Sequence, residues 1–223
     1  MGGSSDLDDD EGGSSPCFLH ELGPDGAPLD RQQARDVARW RKAERQRLIA
    51  LRCALPAEER ALHTAAIGRA LDAMIPAGTQ EIVSVYWPIR AEPDLRPWMQ
   101  AACLRGLRIA LPVAEELGKP LTFREWRPGA RMARGLWSIP YPADGAELSP
   151  TTCLAPLVGF DAECYRLGYG GGFFDRTLAA LARKPLAIGV GYPQLRIPTI
   201  FPQCHDVPMS WILAGNDPPQ SRQ

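Results

Sequence analysis

The sequence predicts an α/β protein, a layered and largely parallel sheet with flanking helices, preceded by a helical pair. Three observations carry this. Residues 31 to 74 read with helical spacing; beyond them short β-rich runs alternate with helical runs; and a cluster of glycines separates a buried-strand pattern from a helix pattern. With 223 residues, the chain is long enough to bury a core without disulfide or metal staples. One α/β domain is expected over residues 31–216, between a leader at 1–30 and a short tail at 217–223.

The elements follow in order. From Arg31 to Ala54, Ala34, Val37, Ala38, Leu48 and Ile49 can form an apolar stripe, with Arg35, Arg39, Arg41, Lys42, Arg45 and Arg47 on other faces. That basic crowd is either a solvated face or an anion-facing one. Pro56 sits well at the first position of a second helix running to about Met74, with Glu58 and Glu59 complementing its dipole. Glu81 to Ile89 then reads as a strand ending at Pro88, and Asp94 to Arg105 as a helix capped by Asp94 and stopped by Gly106. Strands are expected at 108–113, 121–126, 153–160, 186–192 and 211–214, with a helix at 173–183. The proline- and glycine-rich stretch 127–151 reads as a long irregular segment, of the kind that often carries function.

Composition narrows the function classes. Lys and Arg number 25 against 26 Asp and Glu, for a net charge of −1. This balance lacks the footprint of a nucleic-acid-coating or membrane-surface protein, and no window approaches the roughly 20 apolar residues of a membrane span. The balance is uneven along the chain, however. Residues 1–30 hold eight acids and no base, a Gly/Ser-rich composition that predicts disorder, leaving residues 31–223 at +7. Cys17, Cys53, Cys103, Cys153, Cys164 and Cys204 are scattered without a C-x-x-C pair, as reduced thiols of a cytoplasmic protein would be.

The most informative segment is Arg166-Leu167-Gly168-Tyr169-Gly170-Gly171-Gly172-Phe173-Phe174-Asp175-Arg176. Four glycines in five positions let consecutive N–H groups converge on an anion, and the next helix adds the positive end of its dipole. This is chemistry for phosphate. No Gly-Lys-Ser/Thr follows, so it is not a Walker A loop, and Phe173 fills the place of the third glycine of a dinucleotide fingerprint. Asp175 is either a dipole-complementing acid or a Mg²⁺ ligand; Asp206, in His205-Asp206-Val207-Pro208, is either a turn residue or the second carboxylate of such a site.

The glycine segment, preceded by Pro156-Leu157-Val158-Gly159-Phe160-Asp161 and followed by His205-Asp206-Val207-Pro208, closely resembles the 5-formyltetrahydrofolate cyclo-ligase (5,10-methenyltetrahydrofolate synthetase) family. The resemblance extends over about Arg41 to Leu213. It implies a fold of the sugar-phosphate isomerase and CoA transferase-like class, and conversion of 5-formyltetrahydrofolate to 5,10-methenyltetrahydrofolate with ATP and Mg²⁺, releasing ADP and phosphate. It also implies that the family's Lys-x-x-x-Arg pair for ATP falls on Arg41 or Lys42 together with Arg45. The loop from Arg166 through Leu167, Gly168, Tyr169, Gly170, Gly171, Gly172, Phe173 and Phe174 is implied to wrap the phosphates. Trp87, Glu92, Tyr169 and Phe173 are implied to bind folate, and Asp175 and Asp206 the metal. Tyr141 stands where many members carry a glutamate, and Phe173 and Phe174 where tyrosines are common. A monomer is expected, acting on folate with or without a polyglutamate chain, with no nucleic-acid or membrane partner. Two rival readings are a non-catalytic folate- or nucleotide-binding protein and a phosphosugar isomerase on a related scaffold.

Overall fold

The first helix shows how the chain is organised. In the computed structural model, which describes residues 31–76 and 81–222, α1 runs Arg31–Ala54 and α2 runs Ala57–Met74. The disorder expected for residues 1–30 lies outside the described residues, as do Cys17 and His20. On α1 the buried positions are Arg41, Leu48 and Arg52, with Arg45 half-buried in the same register. The apolar stripe expected from spacing is therefore corrected: Ala38 is exposed, Val37 and Ile49 are only half-buried, and the inner face is mainly arginine. The physical reason is that these guanidiniums meet carbonyl, hydroxyl and carboxylate acceptors, so they can be buried where an unpartnered cation could not.

The central sheet has seven strands: β1 Ile82–Ser84, β2 Arg108–Val113, β3 Thr122–Trp126, β6 Thr152–Pro156, β9 Leu186–Gly191, β10 Trp211–Ala214 and β11 Gln220–Ser221. Their order is β11-β10-β9-β6-β1-β2-β3, parallel from β10 to β2 and antiparallel only at the two edges. The edge strand β11 forms within the segment expected as a tail. Helix α3 (Arg96–Leu104) links β1 to β2, and α4 (Phe173–Ala180) precedes β9. Gly106, at φ +89°, ends α3 as its sequence foretells, with the Leu107 N–H donating to the Ala102 carbonyl in a Schellman-type closure. Asp94 lies further out than a cap: its carboxylate accepts from Arg96 N–H, and the helix begins at Arg96.

Alternation along the strands divides the core between the two faces. Ala110, Cys153, Ala155, Ala187 and Ile212 join Leu48 of α1 and Leu178 of α4 on one face. Ile109, Leu111, Leu154, Ile188 and Leu213 join Ile67 and Leu71 of α2 and Met99 of α3 on the other. A parallel sheet covered on both faces is the arrangement that near-continuous apolar strands require.

Four expected elements differ. The strand expected at 153–160 is split, since it leaves the central sheet after Pro156 and Gly159–Phe160 pairs instead with Arg166–Leu167, and the helix expected at 173–183 stops at Ala180 because Leu181 is extended. The strand expected at 81–89 pairs only at Ile82–Ser84, because the chain beyond it turns out of the sheet through Arg90 and Ala91, both at positive φ. The segment 127–151 is less irregular than its prolines suggest: β4 (Met132–Arg134) and β5 (Pro140–Pro142) form a small hairpin around a 3₁₀ turn at Leu136–Ser138. A second small hairpin joins β7 (Gly159–Phe160) to β8 (Arg166–Leu167) and delivers the glycine loop.

Candidate active site

The strand order reverses between β1 and β6, since the chain proceeds to β2 and β3 on one side and to β9 and β10 on the other. In an open α/β sheet such a switch point leaves a crevice beyond the carboxyl ends of the strands. A cavity of about 570 Å³ lies there, walled by the segments leaving β1, β2 and β6, the β4–β5 hairpin, the glycine loop, α1 and residues 205–206. Its size suits a substrate-scale ligand.

One wall is cationic. Arg41 and Arg45 are one helical turn apart on α1 and both line the cavity, as does Arg166 from β8. Arg45 Nε donates to the Gly168 carbonyl at 2.8 Å, so α1 holds the glycine loop directly. Burial and the adjacent Arg41 pull the Arg45 guanidinium below its usual range, with Asp206 partly countering them. The wall thus concentrates positive charge in a part-dry setting, where an anion is favoured. Lys42 is exposed and does not line the cavity, so of the two alternatives for the first basic residue the geometry brings in Arg41.

The glycine loop closes over this wall. Gly170 and Gly172 take φ +96° and +62°, conformations costly for other residues, and a side chain at Gly170 would meet the Arg45 guanidinium at 3.3 Å. Gly172 caps α4 without any side-chain hydrogen bond, leaving the first N–H groups of the helix to another acceptor. Phe173 and Phe174 face arginines, with Arg176 Cζ 5.4 Å from the Phe173 ring centre and Arg166 Cζ 5.1 Å from that of Phe174.

Both expected metal carboxylates border the cavity. Asp206 accepts from Arg41 at 2.5 and 3.2 Å and from the Gln203 N–H at 2.6 Å. Asp175 accepts from Arg166 at 3.0 Å and from the Val207 N–H at 3.3 Å. Among the described residues no group of three or more His, Cys, Asp or Glu side chains could hold a metal. Two carboxylates still fit Mg²⁺, which characteristically takes one or two from the protein and completes its shell with phosphate oxygens and water. The donor set therefore fits a metal that arrives with phosphates.

Another part of the lining is aromatic and carries an acid. Trp87 and Tyr86 extend from β1, and Glu92 follows the Arg90–Ala91 turn, which its own carboxylate closes by accepting the Ile89 N–H at 2.9 Å. Glu92 is buried, 5% exposed, rather than solvated as a loop acid read in isolation would be. Tyr169 Oη donates to Glu92 Oε1 at 2.7 Å, joining this wall to the glycine loop. Burial raises the Glu92 carboxyl above its ordinary value, only partly offset by Arg52, the Ile89 N–H, Tyr169 and Arg90.

The cavity thus gathers Arg41, Arg45, Trp87, Glu92, the whole of Arg166 to Asp175, and Asp206; of the expected site residues only Lys42 stays outside. The sequence reading missed three participants. Arg52 was hidden because arginine on a helix reads as solvent-facing, although its spacing from Arg45 puts it on the same face. Trp137 lines the mouth at φ +55° and packs edge-on against Phe173 at 5.4 Å, with no sequence signal beyond its loop. His205 lines the cavity beside Asp206 and reads from sequence only as that residue's neighbour. Tyr141, which stands at the family's glutamate position, also lines the cavity, with Arg124 Cζ 5.4 Å from its ring centre.

Known proteins share this fold and much of this sequence. The model of the 5-formyltetrahydrofolate cyclo-ligase family matches residues 37–215. A 5-formyltetrahydrofolate cyclo-ligase of Mycolicibacterium smegmatis is 32% identical over 139 residues, covering 59% of this chain and 72% of the relative. One of Haemophilus influenzae is 29% identical over 140 residues, covering 60% and 75%. Among solved structures, the 5,10-methenyltetrahydrofolate synthetase of Aquifex aeolicus superposes with a TM-score of 0.71 at 24% identity, covering 82% of this chain and 93% of that one. The Mycoplasma pneumoniae synthetase gives 0.65 at 22% identity, covering 79% and 99%. The structural likeness is one of fold, and the family match spans β1 to β10, the glycine loop and both Arg41 and Arg45 of α1. The chain belongs to the 5-formyltetrahydrofolate cyclo-ligase family.

Proposed function

We propose that the protein converts 5-formyltetrahydrofolate to 5,10-methenyltetrahydrofolate with ATP and Mg²⁺, in the cleft between β1 and β6. The observation that carries this reading is one cavity with two unlike walls: a cationic, glycine-rich wall suited to phosphates and an aromatic wall with one buried carboxylate suited to a pterin. A folate's fused ring can stack on Trp87 and Phe173 while Glu92 accepts two of its N–H donors. The ATP phosphates meet Arg41, Arg45, Arg166 and the N–H groups from Gly168 to Phe174.

The formyl oxygen of an amide-like group is a poor leaving group. Transfer of the γ-phosphoryl group to that oxygen, with release of ADP, makes it a good one; N10 then attacks the formyl carbon and gives up its proton to solvent, the five-membered ring closes, and the C–O bond breaks to release phosphate. The chain's residues act by positioning and charge. Arg41, Arg45 and Arg166 neutralise the phosphoryl oxygens, Glu92 fixes the pterin, and Trp137 with Phe173 screens the mouth from water. Asp175 and Asp206 would hold Mg²⁺, which supplies charge neutralisation between phosphate oxygens. The Arg41–Asp206 and Arg166–Asp175 pairs suit this exchange, since phosphates can take the guanidiniums while the carboxylates take the metal. No nucleophilic side chain is needed. The doubly covered sheet also supports kinship with the sugar-phosphate isomerase and CoA transferase-like class.

The test is to mix the protein with 5-formyltetrahydrofolate and Mg²⁺ with and without ATP and to follow methenyl absorbance. An ATP-dependent rise is expected; folded protein that gives none refutes the reading and leaves a binding protein as its replacement.

A further inference from the structure

Among the described residues Arg52 is the largest wholly buried side chain, 0% exposed, and it is not among those that line the cavity. Its donors are nonetheless spent on the walls of that cavity. Nε donates to the Arg90 carbonyl at 2.9 Å, Nη1 to the Leu157 carbonyl at 2.9 Å and Nη2 to Tyr169 Oη at 2.5 Å, while Nη1 lies 3.8 Å from Glu92 Oε1. Tyr169 Oη in turn donates a hydrogen bond to the same Glu92 oxygen at 2.7 Å. One guanidinium therefore touches the turn that carries Glu92, the acid itself, the end of β6 and the glycine loop.

Stability does not account for such a residue. A buried ion pair recovers its desolvation cost only with excellent geometry, and apolar residues of similar volume serve a core as well or better. A lysine could supply the charge but not three planar donors in fixed directions. What the fork does supply is a fixed angle between the Glu92 carboxylate and the Tyr169 hydroxyl.

We propose that Arg52 is a positioning residue for folate recognition, orienting Glu92 and Tyr169 so that the buried carboxylate presents its acceptors to the pterin. This rests on the folate reading of the cleft. Arg52 acts through Glu92 and touches no substrate. The groups facing Glu92 are Arg52 from α1, Arg90 on its own turn, Tyr169 from the glycine loop, Tyr86 beyond β1 and Tyr192 beyond β9. The tyrosines stay neutral through the acid and neutral range, so Arg52 and Arg90 are the cations that favour the ionised form of Glu92 against its burial.

The experiment titrates 5-formyltetrahydrofolate by tryptophan fluorescence between about pH 5 and pH 8, without nucleotide, in wild type, Arg52→Lys, Arg52→Met and each of these with Glu92→Gln. Folate affinity is expected to fall about tenfold or more in both Arg52 variants, with ATP affinity within about twofold of wild type because Arg41, Arg45 and Arg166 are untouched. In Arg52→Met the acid limb of folate binding is expected to move to higher pH, and with Glu92→Gln that displacement vanishes. If Arg52→Met does not fold, Arg52→Lys decides on the affinity split alone. Folate affinity within twofold of wild type and an unmoved limb overturn the proposal, as does an equal loss of folate and ATP affinity, which marks a purely structural role. A wild-type protein that makes methenyl product while Arg52→Lys binds folate normally refutes the positioning role and leaves the activity standing; a wild type that makes none refutes the activity first.

Discussion

At the residue scale, the proposed function gives Glu92 the recognition of folate and Asp175 a part in the chemistry. Asp175→Ala is expected to abolish turnover, a loss of at least about a hundredfold in kcat, while the KM for folate changes little. Glu92→Ala is expected chiefly to raise that KM; wild-type kinetics in both variants would show the roles misassigned. Because burial lifts Glu92 above its ordinary value of 4.5, it takes up a proton on acidification earlier than a solvated glutamate does. As pH falls through that raised value the carboxylate loses acceptor capacity, so the KM for folate climbs while that for ATP stays level. Steady-state kinetics against pH with each substrate varied in turn check this, and parallel climbs in both would contradict it. The sequence made these residues legible only through the motif around them. Glu92 lies in no helical or strand pattern, and its burial depends on Arg52, which approaches from an element 38 residues away from Arg90 in sequence.

Elements carry the next level. Helix α1 was legible as a helix from Arg31 to Ala54, while its inner face was not, because hydropathy counts arginine as solvent-seeking and cannot see waiting acceptors. Strand β1 was legible as β-rich, but the point where it leaves the sheet depends on two positive-φ residues, Arg90 and Ala91, of types that do not announce such a turn. The glycine loop was the reverse, since four glycines state their backbone demands openly. Gly170 and Gly129 allow that demand to be separated from function, as both sit at positive φ but only Gly170 adjoins Arg45. Gly129→Ala and Gly170→Ala are each expected to cost about 1–2 kcal/mol in urea unfolding. Only Gly170→Ala is expected also to raise the KM for ATP. A raised KM in both would mean that general destabilisation, rather than the contact of the glycine loop with Arg45, weakens nucleotide binding.

For the whole molecule, the near-zero net charge conceals an acidic leader and a body of +7. The body's excess gathers in part as Arg41, Arg45 and Arg166 on one wall of the cleft, which suits two anionic substrates. Among the described residues, those that line the cavity lie between Arg41 and Asp206, and a variant lacking residues 1–30 is expected to keep kcat within about twofold; a larger loss would place a catalytic contribution in the leader. The parallel order of the central strands and the helices on both faces were legible from the alternation of strand and helix, since a right-handed crossover leaves few other solutions. The edges were not, because β3 and β11 pair antiparallel through connections whose composition is that of ordinary loops. The central claim is that this cleft activates the formyl oxygen by phosphoryl transfer, and it is tested most directly by following that oxygen. With 5-formyltetrahydrofolate labelled with ¹⁸O in the formyl group, a single round of ATP-dependent turnover is expected to deliver the label into the released phosphate; label found in water, with unlabelled phosphate, would contradict it.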